Sequence, residues 1–210
     1  MDLLPLFLNL SGRTVVLVGG GRVAVGKLQQ LLAAGARVRV IAPEVCPEIV
    51  RADTARVQVC ERPFQAADLD EAWLVVAAAT PPVNREVAAA GERRRIFVNA
   101  VDDPENASAF LSGVVRRDGV TIAISTSGEA PALTALVREG IDALLPADLA
   151  AWREIARTTR LAWKRDGIPM EDRKPRLLRA INERYEDRTE REALAERLVP
   201  WLNCPEDSWP

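Results

Sequence analysis

The run Thr14-Val15-Val16-Leu17-Val18-Gly19-Gly20-Gly21-Arg22-Val23-Ala24 constrains the fold of this chain more than any other stretch. Its continuous apolar segment reads as a strand buried on both faces, the type found in parallel sheets. The glycines after it permit a tight turn, and the residues beyond them open a helix. Strand, side-chain-free turn and helix N-terminus in that order expose backbone N–H groups and a positive helix-dipole end to a ligand phosphate. Read as G-x-G-x-x-A, with Ala24 at the position of close helix–strand packing, the segment is a dinucleotide-binding fingerprint. The same residues also suit a glycine turn in an α/β protein that binds no nucleotide.

The pattern beyond the glycines predicts an α/β fold with a Rossmann-like parallel sheet. Residues 15–18, 37–42, 57–60, 73–79 and 96–101 read as strands, with helices over 25–34, ended by Gly35, and over 82–91. Such alternation builds a parallel sheet with right-handed crossovers. The pattern then changes. Apolar runs at 111–116 and 120–125 flank Asp118-Gly119, a hairpin signal, and Thr126-Ser127-Gly128-Glu129-Ala130-Pro131 leads into a helix over 132–145. From Asp148 the chain is charged and amphipathic, with helices expected over 149–165, 174–184 and 189–202 and a frayed tail at 203–210. This divides the chain at 1–112, 113–146 and 147–210.

Composition narrows the chemistry. The net charge of -2 argues against nucleic acid as a partner. No apolar run reaches the roughly 18 residues of a membrane helix, and the opening Met1-Asp2-Leu3-Leu4-Pro5 lacks the basic start of a signal peptide. Cys46, Cys60 and Cys204 have no metal-ligand spacing, so a reduced cytoplasm and no metal site are expected. With no histidine in the chain, a general base must be a carboxylate, Cys, Lys or Tyr. Lys27, Lys164 and Lys174 are the only lysines among 28 basic residues. The arginine excess suits a polyanionic substrate, although an alanine- and arginine-rich genome explains it more simply.

Cofactor and proton acceptor are sought at the carboxyl ends of the strands, where open α/β sheets bind ligands. The acidic residue that commonly holds the ribose hydroxyls is missing from the tip of the second strand, and Glu44 follows slightly later, after Pro43. Arg37 and Arg39 lie inside the strand and are expected to face outward, so NAD rather than NADP is expected. Val76-Ala77-Ala78-Ala79-Thr80 offers small residues where a cofactor can lie close. Asn99-Ala100-Val101-Asp102-Asp103-Pro104 ends another strand with two carboxylates, which suit either a turn or a base beside a nicotinamide.

These segments together resemble the precorrin-2 dehydrogenase/sirohydrochlorin ferrochelatase family, which is also the N-terminal module of siroheme synthase. The resemblance rests on Leu4-Pro5-Leu6-Phe7, Val18 to Ala24, Ala33-Ala34-Gly35-Ala36-Arg37-Val38, Ala78-Ala79-Thr80, Phe97 to Asp102, and Ile124 to Gly128 with Pro131 following. It covers residues 1–145 well and the helical remainder loosely.

The resemblance implies NAD-dependent oxidation of precorrin-2 to sirohydrochlorin, followed in some members by Fe²⁺ insertion. It places the essential aspartate on Asp102, as general base in both reactions. It places NAD contacts on Gly19, Gly20, Gly21, Arg22, Val23, Pro43 and Glu44, with Thr80 at the edge of the same site. The substrate side falls on Asn99, Ser125, Thr126, Ser127 and Gly128, and Thr126 stands where some members carry a phosphorylated serine. The resemblance also implies a homodimer exchanging the region 113–146, between an NAD-binding domain and a helical C-terminal domain. The methyltransferase module of the trifunctional enzyme is expected to be absent. Dehydrogenation alone, an NAD-sensing regulatory module and a tetrapyrrole carrier remain open beside dehydrogenation with chelation.

Overall fold

The computed structural model describes residues 3–52 and 55–183. The helix expected over 189–202, the tail at 203–210 and Cys204 lie outside the described residues. The chain forms two compact units, one running to Leu111 and including Ser127–Ala130, the other made of Ser112–Thr126 and the chain from Pro131.

In the first unit the glycine-flanked strand β1 (Thr14–Val18) leads into α1 (Arg22–Ala33) and β2 (Arg37–Ala42). A short helix α2 (Pro47–Val50) precedes β3 (Val57–Glu61). Then come β4 (Leu74–Ala77), α3 (Pro81–Arg94) and β5 (Phe97–Ala100). The five strands lie in the order β3-β2-β1-β4-β5, all parallel. Val15, Val16 and Leu17 are fully buried, because helices cover both faces of the sheet. Burying a side chain of this size stabilises the fold by about 1.5–3 kcal/mol. Ala24, Leu28 and Leu31 of α1 complete one core layer, and Val87 and Ala90 of α3 belong to the other.

Helix α3 extends past the expected stop at Gly91. A Cβ at Gly91 would press on the Val98 side chain of β5, so this glycine permits helix–strand contact inside the helix. The helix instead ends at Arg95, which takes a left-handed conformation (φ 57°) after Arg93 and Arg94 of the last turn.

In the second unit β6 (Gly113–Arg117) and β7 (Val120–Ile124) pair antiparallel around Asp118-Gly119, both at positive φ, as a two-residue hairpin turn requires. Helix α4 (Pro131–Leu144) is tied to the hairpin by Arg117, which pairs with Asp142 at 2.7 Å and donates to the Leu145 carbonyl at 2.9 Å. Helix α5 spans Leu149–Arg165 as expected. Helix α6 (Met170–Asn182) begins earlier than the expected 174, with Pro169 at its N-cap and Glu171 and Asp172 in its first turn. Pro175 therefore lies within the helix rather than at its start.

Candidate active site

Strand order and register bring the predicted segments to one edge. The chain leaves β1 toward β2 on one side and returns to β4 on the other, so a crevice opens between β1 and β4 at their carboxyl ends. Val18 pairs with Ala77, and Ala77 with Ala100, so Gly19, Ala78 and Val101 emerge level with one another. Backbone bonds from Ala78 to the Val18 carbonyl (2.7 Å) and from Val101 to the Ala77 carbonyl (2.9 Å) carry this alignment past the strand ends.

The three glycines have different reasons to be glycine. At Gly19 (φ 129°) a Cβ would collide with the Ala78 carbonyl. At Gly20 it would strike the backbone of Glu44 and Val45, and the Cys46 N–H and thiol both donate to the Gly20 carbonyl at 2.8 Å. Gly21 has an ordinary φ of -85° and open space where its Cβ would stand. Gly19 and Gly20 thus let the neighbouring loops close on the turn, whereas Gly21 leaves the mouth of α1 open. Arg22 and Val23, the first residues of α1, are exposed there, as are Pro43, Glu44 and Thr80 at the ends of the adjacent segments. This geometry fits a pyrophosphate on the N-terminus of α1.

The adjacent aspartates differ as sharply. Asp103 is half-buried, and Asn106 donates to both its carboxylate oxygens, at 2.9 and 3.0 Å, in a turn that includes Pro104. Asp102 is exposed at φ 56°, a left-handed conformation that an aspartate tolerates better than most residues, and no hydrogen bond to its carboxylate is made among the described residues. Nearby on β5, Asn99 is buried and donates through Nδ2 to the Ala109 carbonyl at 3.0 Å, while its Oδ1 has no partner among the described residues. A buried amide oxygen left in that state is costly, which favours a ligand or solvent donor there.

Ser127 (φ 55°) and Gly128 (φ 81°) belong to the same unit as Asp102, with the site of a Gly128 Cβ 3.6 Å from Pro104 and Phe110. Ser125 and Thr126 belong to the second unit, where the Thr126 hydroxyl lies 2.9 Å from that of Thr134. Among the described residues no three His, Cys, Asp or Glu side chains form a metal-sized cluster.

Two residues of this edge were not singled out by the sequence. Asn84 of α3 is buried, accepts from the Ala79 N–H at 3.0 Å and reaches the Val101 carbonyl at 3.5 Å. It thereby spans the loops that carry Thr80 and Asp102. Lys27 of α1 is half-buried. Burial pushes its ammonium below the usual lysine range, and the negative charge of Asp102 pulls it back upward. Its position flanking the stripe of Ala24, Leu28 and Leu31 was the signal available in the sequence.

A family model for NAD(P)-binding proteins matches residues 6–113, and one for the central part of sirohaem biosynthesis proteins matches residues 117–144. The chain is 39% identical to a siroheme synthase of Photorhabdus laumondii over 88% of its own length and 40% of the relative's. This chain belongs to the family of the N-terminal module of siroheme synthase. Siroheme synthase 1 of Aeromonas hydrophila is 42% identical over 74% of this chain and 34% of that protein. The chain thus spans well under half the length of these relatives. Among solved structures, SirC, a precorrin-2 dehydrogenase, shares the fold with a TM-score of 0.66 at 23% identity, over 93% of this chain and 98% of that one. The chain therefore combines an NAD(P)-binding Rossmann-like unit with a unit of hairpin and helices. No helix among the described residues is long and apolar enough to cross a membrane.

Proposed function

We propose that this chain oxidises precorrin-2 to sirohydrochlorin with NAD as hydride acceptor and Asp102 as proton acceptor. The observation that carries the reading is Asp102 itself. It is an exposed carboxylate without a hydrogen-bond partner among the described residues, level in the sheet with the glycine turn of an NAD(P)-binding fold.

When bound, NAD supplies the acceptor for a hydride. The chain's own residues do the rest. The turn at Gly19–Gly21 and the first N–H groups of α1 would hold the pyrophosphate, with Arg22, Val23, Pro43, Glu44 and Thr80 around it. The oxidation would remove two hydrogens from the substrate, one as the hydride that NAD would accept and the other as a proton that the Asp102 carboxylate would take up. Asn99 offers its unpartnered Oδ1 to a donor on cofactor or substrate. Gly128, which follows Ser127, lines the approach beside Pro104 and Phe110. Roles for Ser125 and Thr126 rest on the family resemblance alone.

NAD is favoured over NADP because Arg39, the arginine nearer the strand end, is engaged by Gln58 and by the Asp68 carbonyl at 3.4 Å each. A homodimer is favoured by α4, which buries none of its residues and leaves Leu133 and Leu144 half exposed beside a hairpin of two strands. Such a hairpin is marginal without further sheet. A cytoplasmic setting agrees with the free thiols of Cys46 and Cys60.

The test supplies precorrin-2 with NAD⁺ or NADP⁺ and follows the absorption spectrum, then adds Fe²⁺ as substrate. Faster formation of sirohydrochlorin with NAD⁺ is the expected result. Absence of oxidation with either nucleotide overturns the reading. A halt at sirohydrochlorin after Fe²⁺ addition assigns dehydrogenation alone, whereas siroheme assigns both reactions.

A further inference from the structure

The glycine turn and the loop after β2 are joined at one atom, the Gly20 carbonyl oxygen. It accepts from the Cys46 N–H and from the Cys46 thiol, each at 2.8 Å, so a single residue occupies both lone pairs of that oxygen. The two backbones also lie close together here. A Cβ at Gly20 would meet the Glu44 carbonyl and stand 2.9 Å from the Val45 Cα.

The direction of the thiol is informative. Cys46 is the N-cap of α2, where a polar side chain ordinarily bonds the first N–H groups of its own helix. Its side chain makes no such bond and turns back to Gly20 instead. A thiol is a weak donor, yet at 2.8 Å it stands as near its acceptor as a hydroxyl would.

Holding that carbonyl also orients the next N–H. The peptide from Gly20 to Gly21 is trans and planar, so its N–H points opposite to its C=O. With the Gly20 oxygen held toward Cys46, the Gly21 N–H is turned the other way. It donates to no group among the described residues, and Gly21 is exposed at the mouth of α1, with open space where a Cβ would stand. A peptide between two glycines resists turning over only weakly, because glycine populates both signs of φ. Turned over, it would present an oxygen where an anion needs a donor.

We propose that Cys46 is a positioning residue for the cofactor, whose thiol and N–H hold the Gly20 carbonyl inward so that the Gly21 N–H faces the pyrophosphate. The role rests on the reading of this turn as the pyrophosphate site and requires no particular substrate.

Two measurements test this. Gly19-Gly20-Gly21 holds the chain's only adjacent glycines. Glycine carrying ¹³C at the carbonyl and ¹⁵N at the amide therefore gives carbonyl-filtered N–H signals from Gly20 and Gly21 alone, and the Gly21 signal reports the Gly20 oxygen. Cys46→Ala is expected to shift the Gly20 carbonyl resonance and broaden the Gly21 N–H, and Cys46→Ser to return both toward wild type. Signals indifferent to Cys46→Ala overturn the anchoring.

The second is calorimetric titration with NAD⁺, or with NADP⁺ if wild type prefers it. Cys46→Ala is expected to weaken binding about 3- to 10-fold, the worth of one hydrogen bond, and Cys46→Ser to remain within about twofold of wild type. At saturation the ³¹P resonances of the bound pyrophosphate are expected to move in Cys46→Ala and to stay in place in Cys46→Ser. Weaker binding with unmoved phosphorus resonances puts the effect elsewhere in the loop and overturns the inference, as does wild-type affinity in Cys46→Ala. If wild type binds neither nucleotide, the cofactor reading itself has failed and this role with it. Where wild type binds and Cys46→Ala is unaffected, the role of Cys46 alone has failed.

Discussion

Asn106 holds both carboxylate oxygens of Asp103, at 2.9 and 3.0 Å, while the adjacent Asp102 is exposed in a left-handed conformation. Neighbours in sequence therefore stand in different settings, one tied into the turn and one exposed. Removing a general base typically costs about 100- to 10,000-fold in rate. Asp102→Ala is expected to lose precorrin-2 oxidation on that scale, with NAD affinity and unfolding midpoint retained. Asp103→Ala is expected to cost about 0.5–2 kcal/mol in stability through its lost hydrogen bonds. Its rate should fall far less. Steady-state kinetics and urea unfolding of both variants check the division, and equal rate losses would refute it.

The parallel sheet and the main elements were legible in the sequence because buried parallel strands are apolar runs and the turns between them carry glycine or proline, whereas the strand order came only with the structure. Helix α5 fell where its apolar period placed it, but α3 outran Gly91 because that glycine answers to Val98 across the core, a contact no local pattern reveals. The same applies at the site. The glycine turn and Asp102 belong to contiguous motifs and could be read directly. Asn84 and Lys27 act on residues far away in the chain, and only the register of β1, β4 and β5 brings the loops concerned to one level. The sequence treated Asp102 and Asp103 as a pair, since the bond that separates them runs to Asn106.

The glycine turn yields opposite expectations at adjacent positions. A methyl at Gly20 must displace the Glu44–Val45 backbone, so Gly20→Ala is expected to cost about 1–3 kcal/mol in stability. A side chain at Gly21 enters open space at an ordinary φ, so Gly21→Asp is expected to fold normally. Its bulk and charge should instead weaken NAD binding at least about tenfold, near 1.4 kcal/mol. Calorimetric titration with NAD⁺ beside thermal unfolding separates the two effects. Wild-type affinity in Gly21→Asp would remove the pyrophosphate from this turn.

Asn84 links the loops that carry Thr80 and Asp102 through one side chain. Asn84→Ala leaves the Ala79 N–H without its partner, and an unsatisfied buried donor costs about 1–3 kcal/mol. Both NAD affinity and kcat are expected to fall, since the loops bearing Thr80 and Asp102 lose their common anchor. Asn84→Asp retains the acceptor for Ala79 but loses the donor to Val101 once ionised, so it should recover NAD affinity more fully than kcat. Equal recovery of the two would mean that the Val101 contact, long at 3.5 Å, does not contribute to placing Asp102.

Acid sensitivity of the first unit is expected to centre on Asp68. Its carboxylate is almost fully buried and receives Arg62 and the Gln65 N–H, each at 2.8 Å through Oδ2. The Arg62 guanidinium, with the Gln65 N–H assisting, holds this carboxyl below the usual aspartate range against the opposing effect of burial. The folded state therefore binds a proton less readily than the unfolded chain, where the group titrates near about 3.9. The resulting stability is fully present above that value and is lost as pH falls through the lower folded one. Asp68→Asn, which cannot ionise, is expected to be less stable than wild type at neutral pH, with the gap narrowing as the solution is acidified below about pH 4. Urea unfolding of both proteins across that range measures the gap, and a gap independent of pH would assign the contribution of Asp68 to hydrogen bonding without charge.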